Sequence, residues 1–496
     1  MRMWRCNFYW SWALSARNRA RHFAFAYVAL ATACAVVLSV GCSPRPAPGQ
    51  LPIVAKTTDT PDRPAKSPAD PGPLWLGIAR EDISPDRPVI MGGYGMYMFS
   101  RALCRWSRGT HDPLYATALY LAKGDTELVI IHADLVGLGQ PDIFDIRTRV
   151  SRRLSIPVEH VIVAASHTHQ SPDTVGLWGT IIPTSSGRDA DYMREMRGRA
   201  ADAAVEAYLA RRSARLAFAT GQITDMHRNT YDEQIKAPFI DHTVTALYAR
   251  DAATDEVIAT LTNWGCHPTT EGPPNRLISA DYVGAYYRAI ARDGGGMPMF
   301  INASIGAAIQ PDENWFKAKH PGKDSQGFTW ATAMGEELAR RVFSLKAGAR
   351  ELPVERIGVA ERNFHVPMLS ETYDLARKMD MMPNALPALG EEYHTLVTAV
   401  DLGALQIGTM PGEMSPQLGR QIRAALGGEA QILVGLGQDW VGYLIDRDQY
   451  ENPMYAYEKM LCLSPWLGEA AVSAHDALRV EREAARAKSP APAPAY

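Results

Sequence analysis

Five consecutive apolar residues, Val161-Ile162-Val163-Ala164-Ala165, run directly into Ser166-His167-Thr168-His169-Gln170-Ser171-Pro172. A β-branched run this short, stopped by polar residues and a proline, reads as a buried strand rather than a helix. Its end carries two imidazoles to a sheet edge, where open α/β folds keep their ligands. Side chains at i and i+2 of an extended strand end share a face, so the His-x-His spacing directs both rings to one centre. Imidazole nitrogen is the usual neutral ligand of zinc. A lone pair of histidines is equally compatible with one ring donating to a backbone carbonyl and the other facing water, so a metal centre needs further donors.

Three more strand-like runs offer them. Val257-Ile258-Ala259-Thr260-Leu261-Thr262 opens into Asn263-Trp264-Gly265-Cys266-His267-Pro268. Leu405-Gln406-Ile407-Gly408-Thr409-Met410 is followed by Pro411-Gly412-Glu413, just before a helix predicted from Ser415. Ile432-Leu433-Val434-Gly435-Leu436 leads to Gln438-Asp439-Trp440-Val441-Gly442-Tyr443. Further strand-like runs at 128–134 and 299–301 alternate with helical patterns near 143–154, 193–210, 283–292 and 331–346, which predicts an α/β fold of mixed β-sheets packed with helices. The helix at 143–154, followed by the strand at 161–165, predicts a βαβ crossover. Asp134 ends its strand, where it either orients a ligand histidine or caps a helix.

Several separated motifs then fall in one order: Gly77-Ile78-Ala79-Arg80-Glu81-Asp82-Ile83-Ser84-Pro85, Met91-Gly92-Gly93-Tyr94, the His-Thr-His segment, Asn263-Trp264 with His267, Ser279-Ala280-Asp281-Tyr282-Val283-Gly284, Pro411-Gly412-Glu413 and Gly442-Tyr443. In this order the chain resembles the neutral/alkaline, non-lysosomal ceramidase family, from Leu74 to the 470s. The resemblance implies one zinc ion (Zn2+) held by His167, His267, Glu413 and Tyr443, with His169 contacting the water on the metal. It also implies a tyrosine that polarises the scissile carbonyl. Tyr455 has the family's spacing of twelve residues after Tyr443, whereas Tyr457-Glu458 matches its Tyr-Glu dipeptide, and both stay open. The family's active-site arginine corresponds to Arg228, within His227-Arg228-Asn229.

One segment departs from the family. Its Gly-Asp-Val-Ser-Pro-like stretch, whose serine lies at the catalytic centre, reads Ile305-Gly306-Ala307-Ala308-Ile309-Gln310-Pro311 here. Gln310 takes the serine's place, and Ser304 stands out of register. An amide side chain cannot serve as the acyl-accepting nucleophile, so a metal-activated water takes that role and the substrate is expected to differ from ceramide. The resulting expectation is a zinc-dependent hydrolase that cleaves an amide (N-acyl) bond in a small molecule or lipid. The alternative is a lipid-anchored binding protein that keeps the fold without turnover; retention of all four ligand types favours the enzyme. Trp178, Trp315 and Trp330 either line a pocket or simply pack.

The ends of the chain concern location. Basic Arg17-Asn18-Arg19-Ala20-Arg21, an apolar run from Phe23 to Val40 and the Gly41-Cys42 junction predict a lipoprotein signal over 1–42 with Cys42 lipidated, a membrane-spanning anchor being the other reading. Both place the domain outside the cytoplasm of a bacterium, secreted across the inner membrane and anchored to the cell envelope, with Ser43 favouring the outer membrane. Residues 43–72 read as a flexible Pro/Ala-rich tether and 479–496 as a disordered tail, leaving a single large metallohydrolase domain at 73–478. The chain stops soon after the last ligand, so the family's C-terminal immunoglobulin-like domain is expected to be absent. A net charge of −3, a sequence pI near 6.5 and no basic run outside the signal exclude a nucleic-acid partner. The sequence specifies no oligomeric state. Cys104, Cys266 and Cys462 are an odd count that argues against a disulfide framework and leaves room for one bridge. Cys266 adjoins His267, but adjacent strand residues face opposite sides.

Overall fold

The computed structural model describes residues 72–488, apart from 97, 232–238, 325–326 and 383–385. The signal segment, Cys42 and the tether through residue 71 lie outside these residues. The apolar runs read from the sequence become the strands Thr126–Ala133, Val161–Ala165, Val257–Trp264, Met297–Asn302, Leu405–Thr409 and Ala430–Val434. The expected helices become Gln140–Leu154, Ala190–Leu209, Tyr282–Arg292 and Phe328–Lys346, and the one after Ser415 runs Pro416–Leu426.

Eight strands of the larger sheet follow the spatial order Val161–Ala165, Thr126–Ala133, Tyr115–Lys123, Trp75–Asp82, Arg212–Gln222, Thr243–Asp251, Val257–Trp264 and Met297–Asn302, and Arg350–Leu352 adds to Arg212–Gln222. Its middle is antiparallel, but the outermost pair at each end is parallel: Val129 faces Val161 at one end and Ala259 faces Met297 at the other. Parallel neighbours need a crossover. Gln140–Leu154 supplies the first and Tyr282–Arg292 the second. Strands buried on both faces read as unbroken apolar runs, and Val161–Ala165 is buried at every position.

A second sheet, ordered Gly358–Pro367, Glu392–Asp401, Leu405–Thr409 and Ala430–Val434, also ends in a parallel pair, with Ile407 opposite Ile432. The two sheets share an apolar layer in which Leu119, Leu121, Leu216 and Leu261 meet Val400, Leu405, Ile407 and Ile432. Alternate residues such as Ala118, Tyr120 and Ala122 belong to the other core, packed with the helices. The described residues fall within one compact unit.

Two expectations need correction. The final helix runs Leu467–Lys488, so ordered structure continues past 478. Its later turns are fastened to the smaller sheet, where Arg482 donates to Gln406 Oε1 and the Leu426 carbonyl and Arg362 pairs with Glu481. Asp134 neither orients a histidine nor caps a helix. Its carboxylate accepts from the Tyr115 N–H at 2.9 Å and the Tyr287 hydroxyl at 3.0 Å, and burial pushes its pKa up to about 7. Cys104, Cys266 and Cys462 are buried free thiols. Among the described residues no helix is long and apolar enough to cross a membrane.

Candidate metal centre

The parallel strand pairs bring their C-terminal ends to one place, and a single side chain ties them. Asn302, fully buried at the end of its strand, donates from Nδ2 to the Ser166 carbonyl at 2.8 Å and the Cys266 carbonyl at 3.1 Å, while its Oδ1 accepts from Cys266 N–H at 3.2 Å. The residue before each of the two histidine turns is thereby held by one amide. Asn263 does the same one layer deeper, joining the carbonyls of Ile301 and Leu433 at 2.9 and 2.8 Å. Neither asparagine stands out in the sequence as a site residue, because such ties are visible only once distant strands are adjacent.

The two histidines of His-Thr-His do meet, but not by strand alternation. The strand stops at Ala165, and His167 has φ 67°, in the left-handed region. That conformation, unfavourable for a residue with a Cβ, turns the ring back so that His169 Nε2 lies 3.2 Å from His167 Nε2. Of nine non-glycine residues with positive φ among the described residues, six border this region: His167, Asp281, Ala307, Ala308, Leu436 and Gln438. Such strain persists only where surroundings over-determine it, and it collects at functional sites.

His167 Nδ1 bonds the Val136 carbonyl, and His267 Nδ1 bonds the Ile309 carbonyl at 2.6 Å. A carbonyl can only accept, so Nδ1 carries the hydrogen on both rings and Nε2 points inward as the free position. Both Nε2 atoms lie 3.3 Å from Glu413 Oε2. Atoms that would otherwise be lone-pair acceptors can sit this close only around positive charge, either a proton on His167 or a metal ion. Zinc with about 2.0–2.1 Å bonds in a tetrahedron separates its ligand atoms by about 3.3–3.4 Å, and both imidazole-to-carboxylate separations here are 3.3 Å. The donor set therefore fits zinc. His169 Nδ1 is buried without a hydrogen-bond partner.

The electrostatics follow from the same convergence. Burial would raise the Glu413 carboxyl, yet charge on His167 and hydrogen bonds from both imidazoles hold it far below the usual range. Burial would lower His167, and Glu413 reverses this, so its pKa is raised. Burial and the neighbouring imidazole charge drive His169 well down. His267, chiefly through burial, is also lowered.

Glu413 lies on a two-residue strand paired in parallel with Tyr443-Leu444, so that Glu413 and Tyr443 are direct register partners. Burial and the Glu413 carboxylate both raise the Tyr443 phenol. Of the two tyrosines left open by the sequence, Tyr457 has its ring 5.9 Å from that of Tyr443 and is hydrogen-bonded to it. Tyr455 instead packs edge-on against Tyr231 at 5.2 Å and bonds Gln449. Only Tyr457 feels the Glu413 charge.

Gln310 and Arg228 face each other across a short antiparallel ribbon, Ile309–Pro311 with His227–Asn229. This ribbon also supplies the Ile309 carbonyl that orients His267. Thr269, two residues past His267, bonds Gln310 Oε1 at 2.6 Å. Ser304 takes no part, since its hydroxyl is packed against Gly419 without a hydrogen-bond partner. Trp178, Trp315 and Trp330 are buried packing residues. His111, Asp112 and Glu271 form one other gathering of ligand types, but Asp112 is occupied by His111, Arg288 and the Ala280 N–H, and Glu271 by Ser279 and Asn275.

Arg105 is a further residue that the sequence did not single out. Buried, it donates to the carbonyls of Gly92 at 2.8 Å, His169 at 2.7 Å and Asn275 at 3.1 Å and to the Gln170 amide oxygen. Tyr94 fills the space between, its ring 4.8 Å from His169 with the Arg105 guanidinium 4.9 Å from the ring centre.

This is a mixed α/β architecture, and solved structures that resemble it include two ceramidases. Neutral ceramidase from Pseudomonas aeruginosa is 17% identical with a TM-score of 0.65, over 82% of this chain and 75% of that one. A ceramidase complexed with C2 is 16% identical with a TM-score of 0.68, over 86% of this chain and 77% of that one. No family model matches the chain, and no curated protein does. The likeness read from the motifs is thus shown as one of fold, between a divergent chain and the neutral ceramidases.

Proposed function

We propose that the protein is a zinc-dependent amide hydrolase acting on an N-acyl substrate of lipid type. The observation that carries this reading is the convergence of His167, His267 and His169 Nε2 with Glu413 Oε2, each of the first two rings fixed through Nδ1 by a backbone carbonyl. His167, His267 and Glu413 would hold the ion, with Tyr443 beside Glu413 as the phenol donor. When bound, zinc supplies Lewis acidity for the scissile carbonyl and lowers the pKa of a water. His169 takes the proton of the attacking water at Nε2 and returns it to the leaving amine. Tyr457, held by Tyr443, donates to the carbonyl oxygen as negative charge develops on it. Arg228 and Gln310, paired on their ribbon, orient the part of the substrate beyond the acyl carbon. Gln310 stands where the family has serine, and an amide in that place supports water as the nucleophile and a substrate other than ceramide.

The test uses the full chain. Elemental analysis should give one zinc per chain, and His167→Ala or His267→Ala should abolish it, while His169→Ala keeps zinc and loses about 10²–10⁴-fold in rate on whichever N-acyl compound a chelator-controlled panel finds turned over. Full zinc in both ligand variants would remove the proposed centre. Zinc binding with no turnover of acyl amides, esters or phosphoesters would favour a binding protein that has kept the fold.

A further inference from the structure

Several large apolar side chains are exposed to solvent, and three of them stand on neighbouring loops. Phe99, Leu103 and Ile182 are 54%, 59% and 60% exposed, and they stand on two loops bound to each other. Met98 N–H donates to the Gly179 carbonyl at 3.1 Å and Ile181 N–H to the Met98 carbonyl at 2.9 Å, which sets Phe99 beside Ile181 and Ile182. Leu103 closes the short helical turn Arg101–Leu103 through Leu103 N–H to the Ser100 carbonyl at 3.0 Å.

The segments that carry these residues hold cations and no carboxylate. From Arg87 through His111, and again from Thr174 through Arg188, the chain has no aspartate or glutamate. Arg101 lies over the Trp106 ring at 5.0 Å. Arg108 is exposed two residues further on, and its N–H bonds the Arg276 carbonyl at 2.7 Å. Among the described residues none of Arg101, Arg108 and Arg276 has a carboxylate partner. Several exposed arginines elsewhere do, as in Arg153 with Asp202, Arg215 with Asp255, Arg350 with Glu429 and Arg362 with Glu481. Unpaired cations around protruding apolar side chains match an anionic lipid surface, in which the side chains enter the acyl boundary and the arginines meet headgroup phosphates.

We infer that the loop pair 98–108 and 178–184 docks the domain onto an anionic lipid bilayer. The same loop begins at the candidate centre, where Gly93 lies so close to the His169 ring that an added Cβ would fall 2.4 Å from Cγ. The docking does not depend on the chemistry at that centre and is read without any turnover.

The experiment reconstitutes the full chain into phosphatidylcholine vesicles and into vesicles that also contain phosphatidylglycerol, so that any N-terminal anchor is the same in both. Hydrogen exchange is then followed over 98–108 and 178–184. On the anionic vesicles both segments should exchange at least about fivefold more slowly. Each arginine contributes about fivefold to docking, so Arg101→Gln with Arg108→Gln should return the rates to those on phosphatidylcholine, as should Phe99→Ser with Leu103→Ser. The side chains are exposed, so melting should not change. If a multiple variant melts early, Arg108→Gln alone decides through a smaller change of the same sign. Equal exchange on the two vesicle types overturns the inference, and protection by soluble polyglutamate but not by anionic vesicles replaces the bilayer with an acidic protein.

Discussion

Gly306 is required for close approach, and Gly306→Ala measures how tightly the loop after Asn302 sets Glu413. An added Cβ would lie 2.3 Å from the Glu413 carbonyl oxygen and 2.8 Å from the Met414 carbonyl carbon, both backbone atoms that no rotamer change can move. Ordinary contact needs about 1 Å more, which stretches the 2.8 Å bond from Gly306 N–H to the Met414 carbonyl beyond hydrogen-bond length. Leaving both buried groups unsatisfied costs about 1–3 kcal/mol. For a domain of this size that lowers the melting temperature by about 1–3 °C. The displacement also pulls Glu413 from His267, which stays fixed to the Ile309 carbonyl on the same loop. Metal ligands tolerate about 0.2 Å, so zinc affinity should fall by at least about tenfold in chelator competition. Gly198→Ala is the internal control: nothing lies within 4 Å of a Cβ there, within the helix Ala190–Leu209, and the variant should gain about 0.5–1 kcal/mol. A Gly306→Ala protein that melts and binds zinc like the parent would show that the loop yields without strain and that the reasoning is wrong.

Three further outcomes are expected. Gln310→Ala should leave measurable turnover, because the residue positions and does not attack, whereas Glu413→Ala should leave none; equal loss in both would restore a catalytic role to position 310. Arg105→Met strips the donor from three backbone carbonyls and one amide oxygen and should cost at least about 3 kcal/mol in denaturant unfolding, whereas a loss below about 1 kcal/mol would mean that water replaces it. His475 bonds the Thr409 carbonyl at 2.9 Å, and burial lowers its pKa to about 4. The unfolded chain takes up that proton first, so stability is full above the unfolded value of about 6.5 and falls by about 3 kcal/mol as the pH drops to 4. In His475→Gln this acid slope should shrink, and an unchanged slope would assign it to other groups.

The apolar runs legible in the sequence are the members of the parallel pairs. Val161–Ala165 and Val257–Trp264 are apolar on both faces and therefore contrast sharply with their flanks. Gly358–Pro367 is half-buried along most of its length and has no such contrast, so it escaped notice. The ligand types were legible because histidine and glutamate at strand ends are chemically conspicuous. The manner of their meeting was not: a left-handed His167 is a tertiary imposition that no local propensity encodes. The two-residue ambiguity at Tyr455 and Tyr457 had the same origin, since a short irregular turn, Pro453–Tyr455, leads into the helix Ala456–Met460 and fixes which ring faces Tyr443. The helical end after 478 was misjudged from composition alone, because its partners, Gln406 and Leu426, lie far away in sequence.

Asn302 bears on when the centre comes into being. Its amide clamps Ser166, 136 residues earlier, and Cys266, 36 residues earlier, so neither histidine turn can settle until residue 302 has been made and seated. Glu413 follows more than a hundred residues later. During synthesis the imidazoles are therefore present long before the geometry that makes them a chelate. Closing contacts over such separations is slow, and a metal that arrives early meets isolated rings with little hold on it. Under the proposed function, the clamp ties ion capture to completion of the fold, so that a chain that loads stably would have finished folding.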